Sequence, residues 1–310
     1  MCLFSSKRIK NPHLAWSALK CGNDGRSELF RQFCNDSYEM FKPYSDSDFV
    51  NKFKIEFFPQ FWEMDLACTL IKSDKMLSSF YSGNKGPDIC LLDDKYKKIW
   101  VEAICPDKGS TTDQIPNYEN NQVNTIPSDK IILRITSAIY KKHKIHLNYI
   151  KDKVCSADEP YIIAINGCLL TPGPGLDDVT PRIVKAVFEG GIDMIDYDLN
   201  SGLIDKRWCK NKQFIPNHNE VKVYLGYFFQ KEFSNISAVL YSDSSYCTRP
   251  TELGGDYILV HNPLAKNPLP VGFLGVGIEY YLKEPYKSEG RDYSLGINCY
   301  RQEEYLYSNI

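Results

Sequence analysis

Residues 87–92 and 98–105 are two short apolar runs joined through Asp93, Asp94, Lys95 and Tyr96 and then Lys97, and each run carries one acid, Asp88 in the first and Glu102 in the second. Apolar runs joined by so brief a polar turn are the grammar of a β-hairpin. A turn centred on Lys95 sets Asp88 opposite Glu102, Cys90 opposite Trp100 and Leu92 opposite Lys98. Directly opposed side chains of an antiparallel pair share one face of the sheet. The two carboxylates are therefore expected side by side, which is costly unless something positive sits between them. A hard divalent cation such as Mg2+ takes oxygen ligands from one or two carboxylates and keeps water or phosphate at its other positions.

The surrounding chain predicts an α/β fold. Residues 1–50 read as a helical extension, with helices over 13–20 and 27–41. Residues 57–72 carry Phe58, Phe61, Trp62, Leu66 and Leu70 as a wide helical stripe, with Glu63 embedded in it. After the hairpin comes a polar stretch, 107–127. Ser128 is placed to cap a helix from Asp129 to about residue 153, with Ile132, Ile135, Ile139 and Ile150 on its buried side. Its other sides carry Lys130, Arg134, Lys141, Lys142, Lys144, Lys151 and Lys153. Residues 161–166 then form an apolar strand. The order helix, strand, hairpin, helix, strand implies a mixed central sheet flanked by helices. Further on, 181–188 reads as a helix and 221–229, 236–241 and 257–261 as strands, an elaborated C-terminal half that continues the same sheet. The expected division is 1–50, 51–168 and 169–310.

Those residues resemble the PD-(D/E)xK superfamily, the restriction-endonuclease-like fold, over about 57–166. The matching positions are Glu63 on the first core helix, Gly86-Pro87-Asp88 opening one strand and Glu102 in Trp100-Val101-Glu102-Ala103 on the next. The resemblance implies Asp88 and Glu102 as ligands of Mg2+ or Mn2+, Glu63 as an auxiliary ligand, and metal-dependent hydrolysis of nucleic acid, DNA foremost, in defence or DNA processing. It leaves open a homodimer or a partner protein. The family's lysine, two residues after the strand Glu, is here Ile104, on the same side of the strand as Glu102. An isoleucine cannot orient a hydroxide, so a cation must arrive from elsewhere or the chain does not cleave and serves as a binding or scaffolding module. Lys130 and Arg134, one turn apart at the start of the basic helix, are the expected source, followed by Lys85 and Lys108. Plainer readings stand beside these: Asp88 as a turn acid, Glu63 on a helix surface, Glu102 in a salt bridge with Arg134, and the basic helix as a solvated face.

Composition bounds the rest. With 310 residues, 43% hydrophobic and 25% charged, the chain can bury a real core, which excludes a disordered or collagen-like polymer. The net charge of -2 excludes a bulk basic footprint. No apolar run reaches membrane-spanning length and no signal-like segment opens the chain, so a soluble, cytoplasmic protein without a membrane partner is expected. The 11 cysteines include no C-x-x-C pair and read as reduced thiols. Asp196, Asp198 and Asn200 imitate a calcium loop but lack its Gly and closing acid, Gly272, Gly275 and Gly277 lack dinucleotide-binding spacing, and His143 and His146 read as surface histidines.

Overall fold

A strand that is apolar on both faces needs cover above and below. Tyr161–Asn166 is such a strand, and all six of its residues are buried in the middle of an eight-stranded mixed sheet. The computed structural model describes residues 3–5, 9–79, 86–110, 112–118, 123, 125–171, 180–199, 201–283 and 295–299, with backbone alone for 192–197, 204–210 and 295–299. Lys85 and part of the 171–175 loop lie outside the described residues.

In chain order the helices are α1 Leu14–Cys21, α2 Gly25–Phe41, α3 Phe49–Ile55, α4 Phe57–Lys72, α5 Ser128–Lys151 and α6 Arg182–Val187. The strands are β1 Met76–Leu77, β2 Ile89–Asp93, β3 Lys97–Ile104, β4 Tyr161–Asn166, β5 Gly190–Asp198, β6 Leu203–Asn211, β7 Phe214–Pro216, β8 Lys222–Tyr224, β9 Ala238–Ser242, β10 Ile258–His261, β11 Ile278–Leu282 and β12 Leu295–Cys299. The large sheet runs β1-β2-β3-β4-β9-β10-β11-β12, while β5–β6 and β7–β8 form separate two-stranded pairs. Strands from both halves of the chain thus share one sheet.

Strand alternation divides the core in two. Ile89, Leu91, Ile99, Val101, Ile162 and Ala164 join the cluster formed with α1 to α4, whereas Cys90, Trp100, Tyr161, Ile163 and Ile165 join the one formed with α5 and α6. Trp62 fixes α4 across the centre of the sheet: its indole N–H donates to the Ala164 carbonyl at 3.1 Å. α5 runs antiparallel to its neighbouring strands as the crossover between the parallel pair β3 and β4, in the register Trp100↔Tyr161 to Ile104↔Ile165.

The sequence reading needs three corrections here. Residues 221–229 are not one strand, because Gly226, at φ 74°, turns the chain after β8 into a short 3-10 turn at Tyr227–Phe229. Ser128 lies inside α5 and accepts from the Arg182 guanidinium at 3.1 Å rather than capping the helix. Asp196 and Asp198 of the calcium-like stretch lie in β5, where Asp198 pairs with Leu203, and Asn200 lies outside the described residues. His143 and His146 are buried at 0% and 1% exposure, not on the surface.

Among the described residues no helix is long and apolar enough to cross a membrane. At the far side of the sheet, buried Glu279 on β11 accepts from the Gly272 and Leu274 amides, at 2.7 and 2.8 Å, and lies 2.9 Å from His261 Nε2. Burial alone would raise its pKa, but these three contacts outweigh that and hold it below the ordinary value. Glu279→Gln should lower unfolding stability by about 2 kcal/mol at pH 7. Because the folded pKa is depressed, the wild-type advantage is present above the ordinary glutamate value and fades as pH falls below it. Urea melts of both proteins across that range read the difference, and equal midpoints at pH 7 would refute it.

Candidate functional site

The hairpin register is the expected one: Ile89↔Val101, Cys90↔Trp100 and Leu92↔Lys98. The ladder ends at Ile89↔Val101, and Asp88 and Glu102 are the residues immediately beyond that last pair on the two chains. Asp88 is tied there by its own side chain, since Oδ2 accepts the Ala103 amide at 2.7 Å. Glu102 is 4% exposed, on the face covered by α5. Asp88 keeps exposed surface, so the pair is open to solvent at one acid and closed at the other.

Elementary electrostatics explains the state of these acids. Burial first, then the charge of Asp88, pushes the Glu102 pKa up to about 7 against the pull of Lys142. Asp88 is also raised, by crowding from the surrounding protein that outweighs Lys142 and the Ala103 amide. Glu63 reaches them from α4, the helix layer on the opposite face. It is half-buried, and burial followed by the charge of Asp88 pushes it up to about 8. The structure thus brings Glu63, Asp88 and Glu102 into one electrostatic neighbourhood.

The cation is Lys142. Its ammonium donates to Glu102 Oε1 at 2.5 Å, and the side chains are 14% and 5% exposed. Lys130 and Arg134 do not reach the acids. Lys130 donates to the carbonyls of Thr112 and Gln114, both at 3.1 Å. Arg134 donates to the Asp107 carbonyl at 2.9 Å and to Asp107 Oδ1 at 2.6 Å. Lys108 donates to Asn117. The first turns of α5 therefore pin the segment after β3, and the fourth turn supplies the charge. Ile104 faces α5 as alternation requires and packs against the cluster there.

Two tyrosines complete the wall. Tyr149 donates to the Gly86 carbonyl at 3.1 Å, and burial with the charges of Glu102 and Asp88 pushes its pKa up to about 12. Tyr161 is fully buried with its hydroxyl near enough to Glu102 to pull that carboxyl's pKa down, although neither the hydroxyl nor Glu102 Oε2 completes a hydrogen bond of ordinary geometry. Lys142, His146 and Tyr149 are four and three residues apart, one face of α5, which is why one helix carries them all.

Among the described residues no three His, Cys, Asp or Glu side chains gather into a group that could hold a metal ion. The fit to a hard cation rests instead on the donor chemistry: two adjacent carboxylates, one oxygen of Glu102 without a partner, and a solvent-open Asp88. That set suits an ion that retains most of its own water. A cavity of about 530 Å3 opens elsewhere, between α1, α2 and the 246–251 segment, lined by Phe30, Phe33, Tyr246, Arg26 and Arg249 and by none of these acids. Compared with protein-family models, curated proteins and solved structures, the chain shows no match.

Proposed function

We propose that the chain is a metal-dependent phosphodiesterase of the restriction-endonuclease-like fold that hydrolyses nucleic acid, with Lys142 of α5 standing in for the lysine that Ile104 replaces. The observation that carries this reading is the Lys142 ammonium on Glu102, which lies just past the last ladder pair of the hairpin, as Asp88 does on the facing chain. A carboxylate pair and a lysine at the end of one sheet supply the chemistry that phosphodiester hydrolysis requires, and α5 delivers the cation to the face that Glu102 occupies.

Asp88 and Glu102 would hold Mg2+ or Mn2+, with Glu63 of α4, whose pKa is raised by burial and by the charges of both, as an auxiliary ligand directly or through water. When bound, the ion lowers the pKa of a water and neutralises charge that grows on the phosphate. Lys142 can give one of its three protons to a hydrogen bond with Glu102 and direct another toward an attacking water or a phosphate oxygen. Tyr161 and the apolar wall of Ile104 and Trp100 keep bulk water from the inner side of Glu102.

The chain is tested with plasmid, single-stranded DNA and RNA in Mg2+ or Mn2+, beside Asp88→Asn and Glu102→Gln. Cleavage that both substitutions abolish supports the reading. Absence of metal-dependent cleavage on every substrate, with the folded state verified, overturns it.

One observation favours a second reading, in which the fold is kept as a binding or scaffolding module. The Lys142–Glu102 ion pair neutralises a buried carboxylate by itself, so the site is satisfied in part without a metal. Retention of DNA without cleavage, unaffected by chelator, is the result this second reading expects.

A further inference from the structure

Two thiols that take no part in the acid cluster meet at the same end of the sheet. Cys105 follows the last residue of β3, and Cys168 lies in the turn after β4. Their Sγ atoms are 4.0 Å apart. Since β3 and β4 are parallel and paired through Ile104↔Ile165, both chains leave the sheet side by side. The turn that carries Cys168 is held by its backbone: Gly167 N–H donates to the Ser242 carbonyl at 2.7 Å, Leu170 N–H to the Gly167 carbonyl at 2.8 Å, and Cys168 N–H to Asn166 Oδ1 at 2.9 Å. Pro106 stiffens the chain directly after Cys105. The sulfurs therefore meet because paired strands place them together. Both residues are partly exposed, whereas Cys34, Cys68, Cys90 and Cys155 are buried.

We infer that Cys105 and Cys168 form an oxidative modification site, a thiol pair that a peroxide converts to an intramolecular disulfide. An S–S bond is about 2 Å long, so the sulfurs must approach by about 2 Å, a distance that side-chain rotation covers. Proton sharing with Cys105, together with burial, holds the Cys168 thiol well above its ordinary pKa, which leaves Cys105 as the attacking sulfur. Its thiolate attacks one oxygen of hydrogen peroxide, the O–O bond breaks, and a sulfenic acid and hydroxide result. The Cys168 sulfur then attacks the sulfenic sulfur and expels its hydroxyl group. Two thiols and one peroxide give one disulfide and two waters. The ring so closed contains all of α5, and with it Lys142, and it starts three residues after Glu102. The staple closes the β3–α5–β4 crossover at its mouth.

The test does not depend on cleavage activity. The full reduced chain is titrated with hydrogen peroxide until the exposed Cys21 and Cys247 are modified, the remaining thiols are alkylated, and peptides are analysed by mass. The expected result is a Cys105–Cys168 cross-linked peptide that a dithiol reductant removes, and, in Cys105→Ser, a Cys168 that stays alkylatable at the same dose. Three results would overturn the inference: both thiols still alkylatable when Cys21 and Cys247 have reacted, separate oxidation of either to an acid without linkage, or linkage of either to a different cysteine.

Discussion

On the proposed phosphodiesterase reading, Lys142→Met should reduce metal-dependent cleavage by about 10²–10⁴-fold, the range for loss of a positioned proton-transfer or charge-stabilising group. The ammonium is the cation in contact with Glu102, on the face shared with Asp88. Methionine keeps much of the stem's length and packing, so the change removes the charge with little loss of volume. Glu102 is then left buried beside Asp88 without its partner, and its pKa, already about 7, moves further up. A carboxyl that can take a proton escapes the full cost of an unpaired buried charge, so the variant should remain folded, which circular dichroism checks. Lys142→Arg retains the charge but not its shape, and is expected to recover only part of the rate. Arg134→Ala, which frees the segment at Asp107, should cost far less than Lys142→Met. A Lys142→Met variant that cuts within threefold of the wild type would remove lysine from the proposed mechanism.

The hairpin could be read from sequence because its information is local. Four polar residues fix the turn, the turn fixes the register, and the register fixes which side chains face each other. Asp88 and Glu102 followed from that alone. Lys142 was legible too, but in a different period. Ile132, Ile135, Ile139, Lys142 and His146 are spaced three, four, three and four residues apart, the buried stripe of a helix. The run Lys141-Lys142-His143-Lys144 looks like a solvated basic face when judged by composition, and that hides the two positions in phase with the isoleucines. Lys130 and Arg134 were attractive because they lie near the start of the helix. Along a helix each residue adds 1.5 Å, and Glu102 sits against the fourth turn, not the first. The β5–β6 hairpin and strands β11 and β12 were harder. β5 and β6 carry Gly, Asp and Lys as freely as apolar residues, so nothing in the period separates them from loops, and β11 and β12 are five residues each, too short for alternation to stand out. The third acid, Glu63, comes from the opposite helix layer, and which acids it approaches depends on tertiary packing that no local pattern encodes.

The acid lability of the fold should pass through His146. Its ring stacks on Tyr161, with centroids 3.7 Å apart and planes at 7°, and neither ring nitrogen has a hydrogen-bond partner; the same is true of both nitrogens of His143. A buried imidazole without partners must be neutral, and burial, followed by the neighbouring His143, lowers the His146 pKa to about 3. In the unfolded chain the group titrates near 6.5. Between these values the unfolded state binds more protons than the folded one, so stability is complete above pH 6.5 and declines as pH falls toward 3, by a total on the order of 5 kcal/mol. The acids of the site have raised values and act in the opposite sense over the range up to 8, so the absolute pH profile mixes the two. The difference between wild type and His146→Leu isolates the histidine, because the acids are common to both. At pH 7.5 the two should lie close together: leucine removes two unsatisfied polar atoms, worth about 1–3 kcal/mol, and forfeits a ring stack worth about 0.5–1.5 kcal/mol. At pH 4.5 the leucine variant should be more stable by about 3 kcal/mol beyond that offset, measured by urea unfolding. A difference that stays constant from pH 7.5 to 4.5 would mean that His146 is protonated, and therefore partnered, in the folded protein.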